Sequence, residues 1–336
     1  MTKEEREKIL EKYFSDGWTA IEQKQYKYAI EHFQKIIAVI PKSARAYLYI
    51  GIAYSFLENH RAAINNYQKA IEIEPDNVLG YLFMGDVYNI MEDHRTATHY
   101  YLKVLKINPD VFEAWHALGN IAQVGKKYHD SIRYLKKAYE LAPDNLSIIN
   151  NLGLAYNEIK EYKEAIQYFE KALQMSPTDV KITYLLGNAY RLLKNFHKAI
   201  HYQKKAVSLE PQNIIAYIEL GNSYIDIQNF KEAISCFQKI LDMDPNHTLA
   251  LLAMGSIYID TGKYHKAISY FKKIVDIYPE NLEANFGIAY TNYCLRDYHE
   301  AIRYYKKAID IDPNNSQIYS NLCAAYNKIK NYDEAI

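Results

Sequence analysis

The chain of 336 residues carries 40 Lys and Arg against 40 Asp and Glu and is 49% hydrophobic, so it can bury a large core without electrostatic bias. Balanced charge argues against a nucleic-acid or anionic-membrane binder, and 12 Gly with 9 Pro are too few for collagen-like, linker-rich or turn-dense all-β chains. Three cysteines form no disulfide framework and point to a reducing, cytoplasmic setting; no apolar run approaches the roughly 18 residues of a membrane span, and Met1 to Lys8 is too polar for a signal peptide.

A polar leader, residues 1–9, is followed by a strict repeat. The prolines stand at Pro41, Pro75, Pro109, Pro143, Pro177, Pro211, Pro245, Pro279 and Pro313, each 34 residues after the last. Glycines keep the same period from Gly17 to Gly255, with Ala289 and Cys323 in the next two places, so the slot admits only small residues. Nine complete units result, 10–43, 44–77, 78–111, 112–145, 146–179, 180–213, 214–247, 248–281 and 282–315, followed by a truncated tenth, 316–336.

Within a unit the apolar residues recur at helical spacing, as in Tyr47, Ile50, Gly51, Tyr54 and then Ala63, Ile64, Tyr67, Ala70, Ile71. This predicts two amphipathic helices per unit. The proline ends the second helix because it lacks an N–H and disfavours helical geometry in the residue before it. Two residues later Ser43, Asn77, Asn145, Asp179, Asn213, Asn281 and Asn315 can cap the next helix. A second small-residue place runs from Ala29 to Ala335, with Ser131 in repeat four. Aromatic residues from Tyr26 to Tyr332 precede it, with His60 and His94 as exceptions.

These residues resemble the tetratricopeptide repeat (TPR) pattern of aromatic, Leu-Gly, Tyr, Ala, Phe, Ala and Pro. Repeat seven matches with Tyr217, Leu220, Gly221, Tyr224, Ala233, Phe237 and Pro245, departing at Ile240. Other repeats depart further: Asp16 and Ala20 stand in repeat one, Gln203 replaces an aromatic in repeat six, and repeat nine shifts its glycine to Gly287. The resemblance implies an all-α fold, an α-solenoid of stacked antiparallel helix pairs in a right-handed superhelix, whose first helices line a concave groove. Each repeat then contacts its neighbours alone, and stability is a sum of nearest-neighbour contributions.

Most tyrosines fall in five recurring places and read as packing; Tyr184, Tyr290 and Tyr293 map instead to the groove. His197 and His201 are four apart but lack the converging partners of a metal site, and His129, His197, His265 and His299 share one exposed place. Cys236, Cys294 and Cys323 occupy three different repeat positions with no base beside them. No phosphate loop, metalloprotease, hydrolase or kinase motif occurs. No enzyme activity, metal or cofactor is expected.

The resemblance places four groove-lining residues on each first helix. In the middle repeats they are polar: Asn120, Gln123, Asn157, Tyr184, Asn188, Arg191 and Asn222 form the candidate peptide-binding set, because an Asn amide donates and accepts together and suits an extended backbone. Repeats seven to nine instead present Ile215, Ile218, Ile225, Leu249, Leu252, Ile259, Phe286, Tyr290 and Tyr293, a candidate apolar groove for a helix or extended segment. The chaperone-tail pattern of the family is absent, since its basic place holds residues such as Phe14, Leu48, His116, Tyr184 and Ser320.

The expected function is a protein–protein interaction scaffold whose partner is a protein or peptide, with no nucleic acid and no membrane insertion. Two alternatives stand beside it. The unit that stops at Ile336 suggests the recognition arm of a longer enzyme such as an O-GlcNAc-transferase-like glycosyltransferase, although that family's usual Asn place is filled only by Asn151 and Asn321. The same uncapped end suggests self-association.

Overall fold

The period that orders the sequence also orders the helices. The computed structural model describes residues 3–331 and the side chains of residues 7–331; it is an all-α solenoid of nineteen helices, with no strand among the described residues. Two compact units are present, up to Tyr168 and from Phe169 onward. The first contains α1 (Lys3–Glu22), α2 (Tyr26–Val39), α3 (Ala44–Phe56), α4 (His60–Ile73), α5 (Val78–Ile90), α6 (His94–Ile107), α7 (Phe112–Val124), α8 (Tyr128–Leu141), α9 (Leu146–Glu158) and the start of α10 (Tyr162–Met175). The second contains the rest of α10, then α11 (Val180–Leu192), α12 (Phe196–Leu209), α13 (Ile214–Asp226), α14 (Phe230–Met243), α15 (Thr248–Asp260), α16 (Tyr264–Ile277), α17 (Leu282–Cys294), α18 (Tyr298–Ile311) and α19 (Ser316–Lys328).

Every unit boundary from Ala44 to Ser316 is the first residue of a helix, and residues 3–9 of the polar leader are the opening turns of α1. Tyr332 and Ala335, the tenth unit's aromatic and small-residue places, lie outside the described residues. Among the described residues no helix is long and apolar enough to cross a membrane.

Local chemistry sets the helix ends. Before each proline the chain turns extended, as at Glu74 (φ −126°, ψ 90°), where the following ring forbids helical geometry. Ser43, Asn77, Asn145, Asp179, Asn213 and Asn281 accept from the third residue onward, whereas Asn315 makes no such bond. The turn inside each hairpin is built differently. Glu58 sits at φ 59°, its N–H bonds to the Ser55 carbonyl (3.0 Å), and the Asn59 N–H bonds back to the Tyr54 carbonyl (2.9 Å). This Schellman closure satisfies the end of α3, and the Asn59 side chain then caps α4.

Packing explains the small residues. A Cβ on Gly221 would lie 2.8 Å from the Phe237 ring, and one on Gly119 would lie 2.6 Å from Leu135, closer than real Cβ contacts. The glycine therefore lets each first helix close on the large side chain of its own second helix. Tyrosines fill the space between: Tyr88 stacks on Tyr100, Tyr156 on Tyr168, Tyr190 on Tyr202 and Tyr258 on Tyr270, with centroids 5.5–5.7 Å apart. Repeat six breaks the rule. Gln203 replaces the large apolar side chain, is fully buried, and has no hydrogen-bond partner for either amide atom among the described residues. Repeat nine breaks it in another way, since buried Thr291 and Asn292 donate back to the carbonyls of Gly287 (2.6 Å) and Ile288 (3.0 Å) of their own helix.

Candidate functional site

In the first unit the polar candidates come together on α7 and α9. Asn151 Nδ2 donates to Asn120 Oδ1 (2.7 Å) and lies 3.1 Å from His116 Nε2, which is also 3.3 Å from Asn120 Nδ2. Amide nitrogens only donate, so His116 Nε2 accepts and the ring is neutral. Burial agrees, holding the His116 pKa below its ordinary value. Gln123 Nε2 donates to the Asn151 backbone carbonyl (2.9 Å). Asn157 is half-buried, its Oδ1 without a partner among the described residues. Asn120 and Gln123 thus tie one repeat to the next, a role that spacing along a single helix does not reveal.

In the second unit, Arg191 is drawn into an ion cluster. Its guanidinium reaches Asp226 (3.1 Å) and Glu219 (3.7 Å) and donates to Asn188 Oδ1 (3.1 Å). Burial raises the Glu219 carboxyl despite the arginine beside it, and burial followed by Glu219 raises the Tyr184 phenol. Tyr184 and Asn222 are half-buried.

The apolar candidates of this unit divide. Ile215, Leu249 and Tyr290 are exposed, at 51%, 60% and 40%. Ile218, Ile225, Leu252, Ile259, Phe286 and Tyr293 are half-buried against the core. Four of the nine, Leu252, Ile259, Phe286 and Tyr290, wall a pocket of about 570 Å³ between α15, α17 and α19. Phe271 and Gly287 line it as well, Leu282 and Ile318 add apolar surface, and Ser256, Glu283, Asn315 and Gln317 supply its polar groups. Phe286 lies parallel to Tyr290 (centroids 6.4 Å, 8°) and edge-on to Tyr305 (5.9 Å), which fixes its ring. Ile215, Ile218, Ile225, Leu249 and Tyr293 stand outside the pocket, and Tyr293 packs edge-on against Tyr298 (5.5 Å).

Family models described as tetratricopeptide repeat match residues 44–77, 80–111, 110–178, 212–280, 246–314 and 295–336, together most of the chain. The chain belongs to the tetratricopeptide repeat family. A model described as anaphase-promoting complex, cyclosome, subunit 3 also matches residues 158–240 of this TPR array. Among solved structures the chain is similar to YrrB, described as a TPR protein with an unusual peptide-binding site, with 21% identity over 55% of this chain and 95% of that one and a TM-score of 0.51. It is similar to pilF of Pseudomonas aeruginosa at 20% identity, covering 60% and 92% of the two chains, with a TM-score of 0.51. MamA of Desulfovibrio magneticus RS-1 aligns at 22% identity over 51% and 96%, with a TM-score of 0.49. The first two likenesses, each at a TM-score of 0.51, establish the fold. No curated protein matches the chain.

Several residues of the TPR surface escape the sequence pattern. Glu219, Asn151 and Gly287 share one repeat place that the four lining positions omit, yet Glu219 joins the ion cluster, Asn151 is the hub of the amide network and Gly287 lines the pocket. The available signal is that this place changes character from repeat to repeat, holding Tyr49, Phe83, Leu185 and Asn321 elsewhere. Chemistry beyond binding finds few groups. Burial pushes the Cys236 thiol up to about 12, which leaves it a poor nucleophile. Among the described residues no three His, Cys, Asp or Glu side chains converge on a metal-sized site.

Proposed function

We propose that this TPR chain is a non-enzymatic scaffold that holds a peptide, helix or unstructured segment of another protein against the first helices of its repeats. The observation that carries the reading is the convergence of Leu252, Ile259, Phe286 and Tyr290, spread over two repeats, on one open apolar pocket. Half-buried apolar side chains around a concavity supply area to a partner at little ordering cost, because the solenoid already fixes them. In the second unit Tyr184, Asn188, Arg191 and Asn222 provide a polar contact set; in the first, Asn157 provides a polar contact, Asn120 and Gln123 being engaged with the next repeat. The reading assigns no catalytic residue, and its cytoplasmic setting accords with three free thiols.

Selection of displayed random peptides on the full chain, with Leu252→Asp/Phe286→Ala as the counter-selected variant, tests this. Peptides that bind the parent saturably and lose the variant support the scaffold. Failure to select any, or equal binding to both proteins, counts against it.

A further inference from the structure

Gly287 stands where repeats two and three carry Tyr49 and Phe83. In those repeats the ring at this place covers the large second-helix side chain of the preceding repeat: Tyr49 stacks on Phe33 (5.2 Å) and Phe83 lies against Tyr67 (5.7 Å). In repeat nine the glycine itself lies against the corresponding ring of repeat eight, Phe271, which is 2% exposed, and a Cβ on Gly287 would lie 2.8 Å from that ring. Gly287 brings no side chain to the pocket that it and Phe271 both line.

The chemistry that would fill the pocket is visible in what surrounds it. Phe286, half-buried, and Tyr290, exposed, offer aromatic surface, and the volume of about 570 Å³ has room for a large aromatic side chain. The pocket has no Lys, Arg or His in its lining, and its one charged residue is the exposed Glu283. Asp260 stands close enough to Tyr290 to act on its phenol, behind Cys294, burial and Tyr264. Neither Glu283 nor Asp260 has an ion-pair partner among the described residues. A ligand with a carboxylate beside its ring meets repulsion here, whereas one with an ammonium or guanidinium gains from both the carboxylates and the open face of Tyr290.

We propose that the pocket beside Gly287 is a socket for an aromatic side chain carried next to a positive charge on a partner protein. The inference rests on the reading of this surface as protein-binding and specifies the partner: Phe, Tyr or Trp adjacent to Lys or Arg.

Tryptophanamide, a cationic aromatic probe, and N-acetyltryptophan, its anionic counterpart, test the socket by titration into the full chain with methyl-labelled Ile and Leu. The expected result is saturable shifts of the Leu252, Ile259 and Ile318 methyls, with the cation binding about two- to five-fold tighter than the anion. Glu283→Gln should bring that ratio toward one. Gly287→Leu should abolish the shifts; because leucine also presses on Phe271, Leu252→Gln at the pocket wall serves as the second variant and should lose them while the helical circular-dichroism signal and cooperative unfolding are retained. Absence of saturable shifts at these methyls in the parent protein, or an anion that binds as well as the cation, overturns the socket. Pocket shifts that follow protein concentration without any probe overturn it in favour of a second copy of the chain. A silent tryptophanamide alongside selected peptides that need Leu252 and Phe286 defeats the socket alone. Probe binding with no selectable peptide leaves the socket standing and defeats the scaffold reading.

Discussion

The first helices of repeats four and five, in the first unit, and those of repeats eight to ten, in the second, use equivalent faces and reach opposite states. On α7 and α9 the side chains are His116, Asn120, Gln123 and Asn151, and they bond to one another across the repeat boundary. On α15, α17 and α19 they are Leu252, Ile259, Phe286, Tyr290 and Ile318, and they leave a pocket. The difference lies in what each kind of contact requires. A polar group taken from water must find a directional partner, so a polar face that packs tightly becomes a network that closes it. An apolar face has no such demand, and around Gly287, which brings no side chain to it, the face stays open.

The largest expected effect falls on the open face. Leu252→Asp with Phe286→Ala should reduce affinity for selected peptides by about 2–4 kcal/mol, through lost apolar contact and an unpaired buried charge, as read by calorimetric titration. Unchanged affinity would mean that the apolar face is not the docking surface.

The comparison sharpens at Gln203, which is polar like the half-buried Asn151 but fully buried, and finds no partner among the described residues. Replacing it with Leu, the residue at the equivalent position 135, should stabilise the fold by about 1–3 kcal/mol, the usual cost of a stranded polar group. Urea unfolding measures this; a loss of stability would show that the amide is satisfied in solution.

Asn151→Ala should cost about 1–2 kcal/mol by stranding Asn120 and His116 together. In a double-mutant cycle with Asn120→Ala the two losses should be less than additive, and strict additivity would dissolve the network into separate contacts. For the same reason Asn120→Ala is expected to lower the melting temperature, which distinguishes it from Asn222→Ala.

The smallest effect concerns pH. Burial lowers the His116 pKa from its ordinary 6.5, so the unfolded chain takes up a proton before the folded one does. This histidine's contribution to stability is complete above about pH 6.5 and is lost as the pH falls through and below that value. His116→Gln should flatten that part of the dependence of the urea midpoint between pH 7.5 and 5. A profile identical to the parent's would remove His116 from the account.

The repeat, the hairpins and the helix boundaries were determined by the sequence alone, because they depend on local rules recurring every 34 residues: proline stops, polar caps, and a glycine opposed by a large side chain 16 residues on. The left-handed residue that closes most hairpin turns was not legible. Lys24, Glu58, Glu92, Lys126, Lys160, Lys194, Gln228, Arg296 and Lys330 adopt it at φ 57–66° with no compositional mark, and Gly262 alone of these places carries the expected residue. The candidate sites were legible as faces and illegible as assemblies. Helical spacing puts Asn120 and Leu252 on a lining face, but whether a face closes or opens depends on what the neighbouring repeat brings to it. Asn151 reaches Asn120 from 31 residues away, and Gly287 lies directly against Phe271 from 16 residues away. Only tertiary structure decides such pairings, because hydrogen-bond reach and steric cover are set by the distance between helices, and periodicity fixes the direction of a side chain without fixing what it meets.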